Sequence, residues 1–231
     1  MRNYRHIFFD LDHTLWDFRS NSRDTLTELY HEEGLEGRGI PSAADLIEAY
    51  EEVNQVLWGR YEQGHIPKEV LRVLRFRNTL MRFGVKEEPL AVRMGRQYLE
   101  RCPLRTKLMP GVPALLDDLS RDHVLHIITN GFDEVQRVKL QHSGIGERFH
   151  VVLTSEKAGA RKPDPRIFAR AMKDAGARDG ECLMVGDHPE ADMAGARRAG
   201  WDQVHFAAET EPDPLATYRI THMDELRPIL L

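Results

Sequence analysis

Ile7-Phe8-Phe9-Asp10-Leu11-Asp12-His13-Thr14-Leu15 is the stretch on which the rest of the chain turns. A short run of apolar, strand-favouring residues ends abruptly in two carboxylates two positions apart. Side chains of a strand alternate faces, so positions i and i+2 point the same way. Asp10 and Asp12 are therefore expected to converge on one spot where the strand ends. Two like charges side by side at a buried strand require compensation. A divalent cation taking oxygen ligands, together with an anionic substrate, supplies it. A polar strand terminus or a helix N-cap is the simpler reading of the same acids. The remainder of the chain has to separate the two.

The 231 residues suffice for one large domain or for a domain carrying an insertion. With 30% charged and 41% hydrophobic residues, the composition is that of an ordinary globular protein. A net charge of −5 argues against a general nucleic-acid binder. A small phosphorylated substrate stays open, because a few local cations suffice for it. Met1-Arg2-Asn3-Tyr4-Arg5-His6 leads into the first strand without a long apolar leader. No stretch approaches the roughly 18 apolar residues of a membrane span. Cys102 and Cys182 lie far apart with no CxxC, and Cys182 sits in the apolar run Cys182-Leu183-Met184-Val185 as a small buried residue. The expected setting is reducing and cytoplasmic.

From about Ser20 to Arg101 the pattern is helical. Leu46, Tyr50, Val53 and Leu57 follow the spacing of a buried helix stripe, as do Val70, Val73, Leu74, Leu80 and Met81. Ser20 to Glu33 and Glu88 to Arg101 complete four helices, punctuated by Gly34, Gly64 and Gly84 with Pro41, Pro67 and Pro89. After Pro110-Gly111 strands and helices alternate: strands at Val124 to Thr129, Phe149 to Thr154, Leu183 to Val185 and Val204 to Ala207. Helices are expected at Val112 to Ser120, Glu134 to His142, Pro165 to Ala175 and Glu190 to Ala199. Such alternation implies a parallel sheet covered on both faces. The expected architecture is α/β: a Rossmann-like three-layer core from residues 1–16 and 105–231, with a helical bundle inserted at 17–104. Ligands of these sheets bind at the carboxyl ends of the strands.

Three further strand ends carry chemistry-bearing residues. Strand two closes on Thr129-Asn130-Gly131, a hydroxyl followed by loop amides suited to an anionic oxygen. Strand three is followed by Gly159-Ala160-Arg161-Lys162-Pro163-Asp164-Pro165, where prolines restrict the backbone around Lys162. Strand four ends Gly186-Asp187-His188-Pro189-Glu190-Ala191-Asp192. Taken singly these read as a turn, a surface lysine and helix capping. Their recurrence at four successive strand ends does not.

The motifs Asp10-x-Asp12-x-Thr14-Leu15, Thr129-Asn130, Lys162-Pro163 and Gly186-Asp187-x4-Asp192 resemble the haloacid dehalogenase superfamily across the whole chain. The insertion resembles that superfamily's helical C1 cap. The resemblance implies that Asp10 attacks phosphorus to give an aspartyl-phosphate, and that Asp12 is acid for the leaving alkoxide and then base for water. It implies Mg²⁺ held by Asp10, Asp187 and the backbone carbonyl of Asp12. Thr129, the amide of Asn130 and Lys162 would hold the phosphoryl oxygens, and Asp192 would orient Lys162 or a metal-bound water. The superfamily's 2-haloacid dehalogenases lack the second aspartate, so Asp12 favours phosphate chemistry. Val53 to Gly64, with Thr129 to Phe132, is similar to the pyrimidine 5′-nucleotidase branch. That similarity implies pyrimidine nucleoside monophosphates as substrates, with a sugar-phosphate phosphatase or phosphomutase, or an idle phosphoryl-binding protein, as alternatives. Asn54 would read a pyrimidine edge, while Trp58 and Tyr61 are expected in the cap core, with stacking on a base as the other reading. His13 and His188 stand where the family more often has small or polar residues. They are expected at the rim of the site.

Overall fold

The computed structural model describes residues 4–208 and 211–231; Met1-Arg2-Asn3 of the expected leaderless start lies outside them. In chain order the elements are β1 (His6–Phe9), α1 (Phe18–Glu32), α2 (Ala43–Glu62), α3 (Lys68–Arg82), α4 (Glu88–Arg101), α5 (Val112–Leu119) and β2 (Val124–Thr129). There follow α6 (Asp133–His142), β3 (Phe149–Thr154), α7 (Ser155–Ala158), α8 (Pro165–Ala175) and β4 (Cys182–Gly186). A wide helical turn at Pro189–Ala194 leads into α9 (Gly195–Arg198), then come β5 (Asp202–Phe206), β6 (Tyr218–Ile220) and α10 (Arg227–Leu230). The chain divides into two compact units, Met1–Phe18 with Thr106–Leu231, and Arg19–Arg105. Among the described residues no helix is long and apolar enough to cross a membrane.

The first unit is built on one six-stranded sheet in the order β3-β2-β1-β4-β5-β6, with every pairing parallel. All four residues of β1 are buried, as a central parallel strand covered on both faces requires. Phe8 joins Ile128, Ile167, Phe168, Met184 and Trp201 in the core on one face. Its ring lies 4.6 Å from that of Trp201. Ile7 and Phe9 serve the other face by alternation. β1 lies between β2 and β4, the connections running outward to β2 and β3 on one side and returning to β4 on the other, which opens the crevice between the carboxyl ends of these strands. Asp164 caps α8, accepting from the amide of Arg166 at 2.9 Å, with Pro165 in the first helical position.

Three histidines line the sheet near the start of β1. His6 Nδ1 and His126 Nε2 lie 3.1 Å apart, and the His126 ring stacks on Phe8 at 4.4 Å and meets His150 edge-on at 5.8 Å. His126 is fully buried. Burial, reinforced by His6 and His150, pushes its imidazole down to about 3. The unfolded chain therefore takes up a proton that the folded protein refuses, and stability contributed by the neutral ring is lost as pH falls from about 6.5 toward about 3. Carboxyl groups titrate in the same range, so the reading is a difference. Urea midpoints at pH 7.5 and 5 should fall less on acidification for His126→Gln than for the natural chain; equal falls would remove His126 as the cause.

The second unit contains α2, α3, α4 and most of α1. Ser42 caps α2, accepting from the amide of Asp45 at 3.2 Å, and the expected stripe Leu46, Tyr50, Val53 and Leu57 is buried. In α3 the expected stripe holds at Leu80, with Leu74 half-buried, and fails elsewhere. Val70, Val73 and Met81 are exposed, and the buried face is Leu71, Arg75, Phe76, Thr79 and Leu80. Apolar residues occur on more than one side of this helix, and packing chose the side carrying Phe76. Its ring meets Tyr50 at 5.1 Å and Tyr98 at 5.5 Å, with the Arg75 guanidinium 4.8 Å from the Tyr98 centroid.

Candidate active site

β1 ends at Phe9, before either acid. The chain then reverses: Trp16 N–H donates to the Leu11 carbonyl at 2.8 Å, and His13 adopts φ 63°. Period-two alternation no longer applies, so Asp10 and Asp12 do not converge as expected. Their carboxylates go to different partners.

Asp10 faces Lys162, whose Nζ lies 2.6 Å from its Oδ1 and 2.5 Å from Asp192 Oδ1. All three side chains are buried. Ligand-capable oxygens of Asp10, Asp187 and Asp192 lie within 4.8 Å of one another. The cluster's third carboxylate is Asp192, expected only to orient Lys162 or a metal-bound water, because the wide turn after His188 brings it back onto the strand end. Its Oδ2 accepts from the His188 amide at 3.1 Å. Gly186 makes this approach possible: a Cβ there would stand 2.3 Å from Asp192 Oδ2. His188 Nδ1 caps the turn, accepting from the amides of Glu190 and Ala191 at 3.2 and 3.1 Å. His13 packs its ring 4.9 Å from Phe18.

Three carboxylates and one ammonium leave the cluster short of positive charge. Burial above all, with repulsion from Asp192 and Asp187, raises the Asp10 carboxyl well above its ordinary range against the pull of Lys162. Burial and Asp192 raise Asp187 to about 7, opposed by the Thr14 hydroxyl, which donates to its Oδ1 at 3.0 Å, and by Lys162. Burial opposes the charge on Lys162, yet Asp10 and Asp192 raise its pKa above the ordinary lysine value. Buried, mutually repelling, hard oxygen donors at this spacing fit a divalent cation of the Mg²⁺ kind.

Thr129 is buried at the end of β2. Its Oγ1 accepts from the Gly131 amide at 3.1 Å and from Gln136 Nε2 at 2.8 Å. With both lone pairs engaged, the hydroxyl is left to donate, which suits an oxyanion. Asn130 does something other than expected with its side chain. Nδ2 donates to the Lys162 carbonyl at 3.0 Å and Oδ1 accepts from the Lys162 amide at 2.9 Å. The side chain therefore ties the lysine loop to β2.

Asp12 meets two residues that the sequence reading passed over. Lys139 Nζ lies 2.5 Å from its Oδ1, and Gln136 Nε2 donates to its Oδ2 at 3.0 Å. Both sit on the buried face of α6 beside Leu140. Their one signal was the i, i+3 spacing directly after Thr129-Asn130, in a helix whose polar residues read as a solvent face. In the helical unit Tyr61 is buried, Trp58 half-buried and edge-on to it at 5.4 Å, and Asn54 is buried one turn from Tyr50.

A sequence model of haloacid dehalogenase-like hydrolases matches residues 4–200. The pyrimidine 5′-nucleotidase YjjG of Escherichia coli (strain K12) is 32% identical over 231 residues, covering 97% of this chain and 96% of that protein. The pyrimidine 5′-nucleotidase PynA of Streptococcus pneumoniae (strain ATCC BAA-255 / R6) is 31% identical over 234 residues, covering 96% and 93%. Among solved structures, that of the HAD-hydrolase YfnB of Bacillus subtilis, bound to magnesium, matches with a TM-score of 0.89 at 27% identity over 99% of each chain.

Proposed function

The chain belongs to the haloacid dehalogenase-like hydrolases and is a phosphatase, and from that membership we propose a Mg²⁺-dependent phosphomonoesterase acting on pyrimidine nucleoside 5′-monophosphates through an aspartyl-phosphate. The observation that carries the reaction is Lys162, fixed between Asp10 and Asp192, with the donor hydroxyl of Thr129 at the end of the neighbouring strand β2. A carboxylate attacking a phosphate dianion meets charge repulsion, and a site with this ammonium and this donor lowers it. Asp10, Asp187 and Asp192 would hold Mg²⁺, with the Asp12 carbonyl as a further ligand; bound there, the ion neutralises charge developing on the phosphoryl oxygens.

The protein's own residues account for the steps. Asp10 Oδ1 is bound to Lys162, which leaves Oδ2 to attack phosphorus. As the Oδ2–P bond forms, the P–O bond to the alcohol breaks and Asp12 passes its proton to the departing oxygen. Water then attacks phosphorus and gives a proton to Asp12; the bond to Asp10 breaks and inorganic phosphate leaves. Thr129 and Lys162 hold the non-bridging oxygens throughout.

The nucleotide part rests on two relatives that carry the nucleotidase name over nearly their whole length. A panel of esters at fixed Mg²⁺ tests it. The largest kcat/KM is expected for uridine and thymidine 5′-monophosphates, with loss of turnover in chelator. Faster cleavage of sugar phosphates would replace the substrate class while leaving the chemistry intact.

A further inference from the structure

The ion pair of Lys139 with Asp12 has no place in the reaction as written. Lys139 is almost fully buried, its Nζ 2.5 Å from Asp12 Oδ1 and 4.4 Å from the centre of the Trp16 ring, with Phe18 at 5.4 Å. Gln136, three residues earlier on the same face of α6, is fully buried and directs Nε2 both to Asp12 Oδ2 at 3.0 Å and to Thr129 Oγ1 at 2.8 Å. Each carboxylate oxygen of Asp12 is thus held by its own donor, and one amide connects the proton-transfer group to the phosphoryl-binding hydroxyl. Gly131 completes the arrangement. A Cβ there would come within 2.2 Å of Gln136 Nε2 and 2.5 Å of its carbonyl carbon, so any larger residue displaces the amide.

We propose that Lys139 and Gln136 are positioning residues that set the orientation of the Asp12 carboxyl, with Gly131 the space that admits Gln136. The proposal rests on the reading of Asp12 as acid and base. One observation distinguishes positioning from phosphate binding. The Lys139 ammonium lies on Asp12 against two aromatic faces, and so is not directed at the Lys162 cluster. Removing one partner of a buried ion pair also destabilises a fold, so the assay has to read the orientation of Asp12 and not stability. A carboxyl misplaced by an ångström loses most of its use in proton transfer.

Leaving groups separate the roles. Expulsion of 2,4-dinitrophenolate needs no proton, whereas the alkoxide of a nucleotide does. Lys139→Met, Gln136→Leu and Gly131→Ala should each lower kcat on uridine 5′-monophosphate about 10- to 100-fold, with KM changed less than about threefold. The pre-steady-state burst of 2,4-dinitrophenolate from its phosphate should keep its rate constant within about threefold in Lys139→Met, whereas Gln136→Leu and Gly131→Ala, which also release Thr129 from the amide, should slow it less than they slow nucleotide turnover. Lys139→Arg should recover part of the kcat. Asp12→Asn is the reference. If it spares the burst and depresses nucleotide turnover while the three variants leave turnover untouched, or slow burst and turnover alike, the positioning proposal is overturned. If Asp12→Asn itself shows no dependence on leaving group, the reading of Asp12 fails first. Thermal melts identify a variant that does not fold; Gly131→Ala removes no functional group and decides the matter should Lys139→Met be lost.

Discussion

Asp10→Asn is expected to abolish release of phosphate from every ester, by at least about 10⁴-fold in kcat, while leaving the fold intact. An amide at this position cannot form the bond to phosphorus, and the three neighbouring carboxylates are engaged elsewhere. Asp187 is bound to Thr14, Asp192 to Lys162 and the His188 amide, and Asp12 to Lys139 and Gln136. The expected thermal behaviour separates loss of chemistry from loss of structure. Burial and the neighbouring acids raise the Asp10 carboxyl, so the folded protein binds its proton more tightly than the unfolded chain. Near neutral pH its ionised form therefore detracts from stability, and a neutral amide relieves that cost. The melting temperature without divalent ions should equal or exceed that of the natural chain. Turnover within about tenfold of the natural rate would remove Asp10 as nucleophile.

Lys162→Met is expected to remove activity and to destabilise the protein by about 3–5 kcal/mol near neutral pH. The lysine is the ammonium paired with both Asp10 and Asp192, and all are buried. Its folded pKa lies above the ordinary value, so its stabilising contribution is complete at pH 7 and is lost only as pH rises through that raised value. Without it three carboxylates crowd one another. Protonation of Asp10 and Asp187 favours the folded state, so the deficit should shrink as pH falls from about 8 to about 6, a range that includes the raised value of Asp187, about 7. Melts across this range, in chelator, check the sign. A variant as stable as the natural chain at pH 8 would show that the cluster does not depend on this cation.

Much of the site was legible because its residues sit at predictable places. Strands β2 and β3 and helix α8 have the bounds their patterns imply, and a parallel sheet delivers Asp10, Thr129, Lys162 and Asp187 to the same end. The partners of those residues were less legible. Lys139 and Asp12 are 127 positions apart, and nothing local marks the single lysine of α6 as buried. Asn130 was in the right loop with its side chain turned to another use, since the loop after β3 comes to lie across it. In α3 two faces offered apolar residues, and the choice between them was made by Tyr50 and Tyr98 on other helices.

By itself the amino-acid order determined the strands, the helices, the insertion between β1 and α5, and the acids and lysine at the strand ends. These follow from periodicity and from the backbone preferences of glycine and proline, which act over a few residues. Only the tertiary structure decided that Asp192 joins Asp10 and Asp187, and that Asp12 turns away to Lys139 and Gln136. Side-chain pairing of this kind depends on the path of the chain after each strand ends, where the reversal at His13 and the wide turn after His188 replace strand alternation with contacts made across the whole length of the protein.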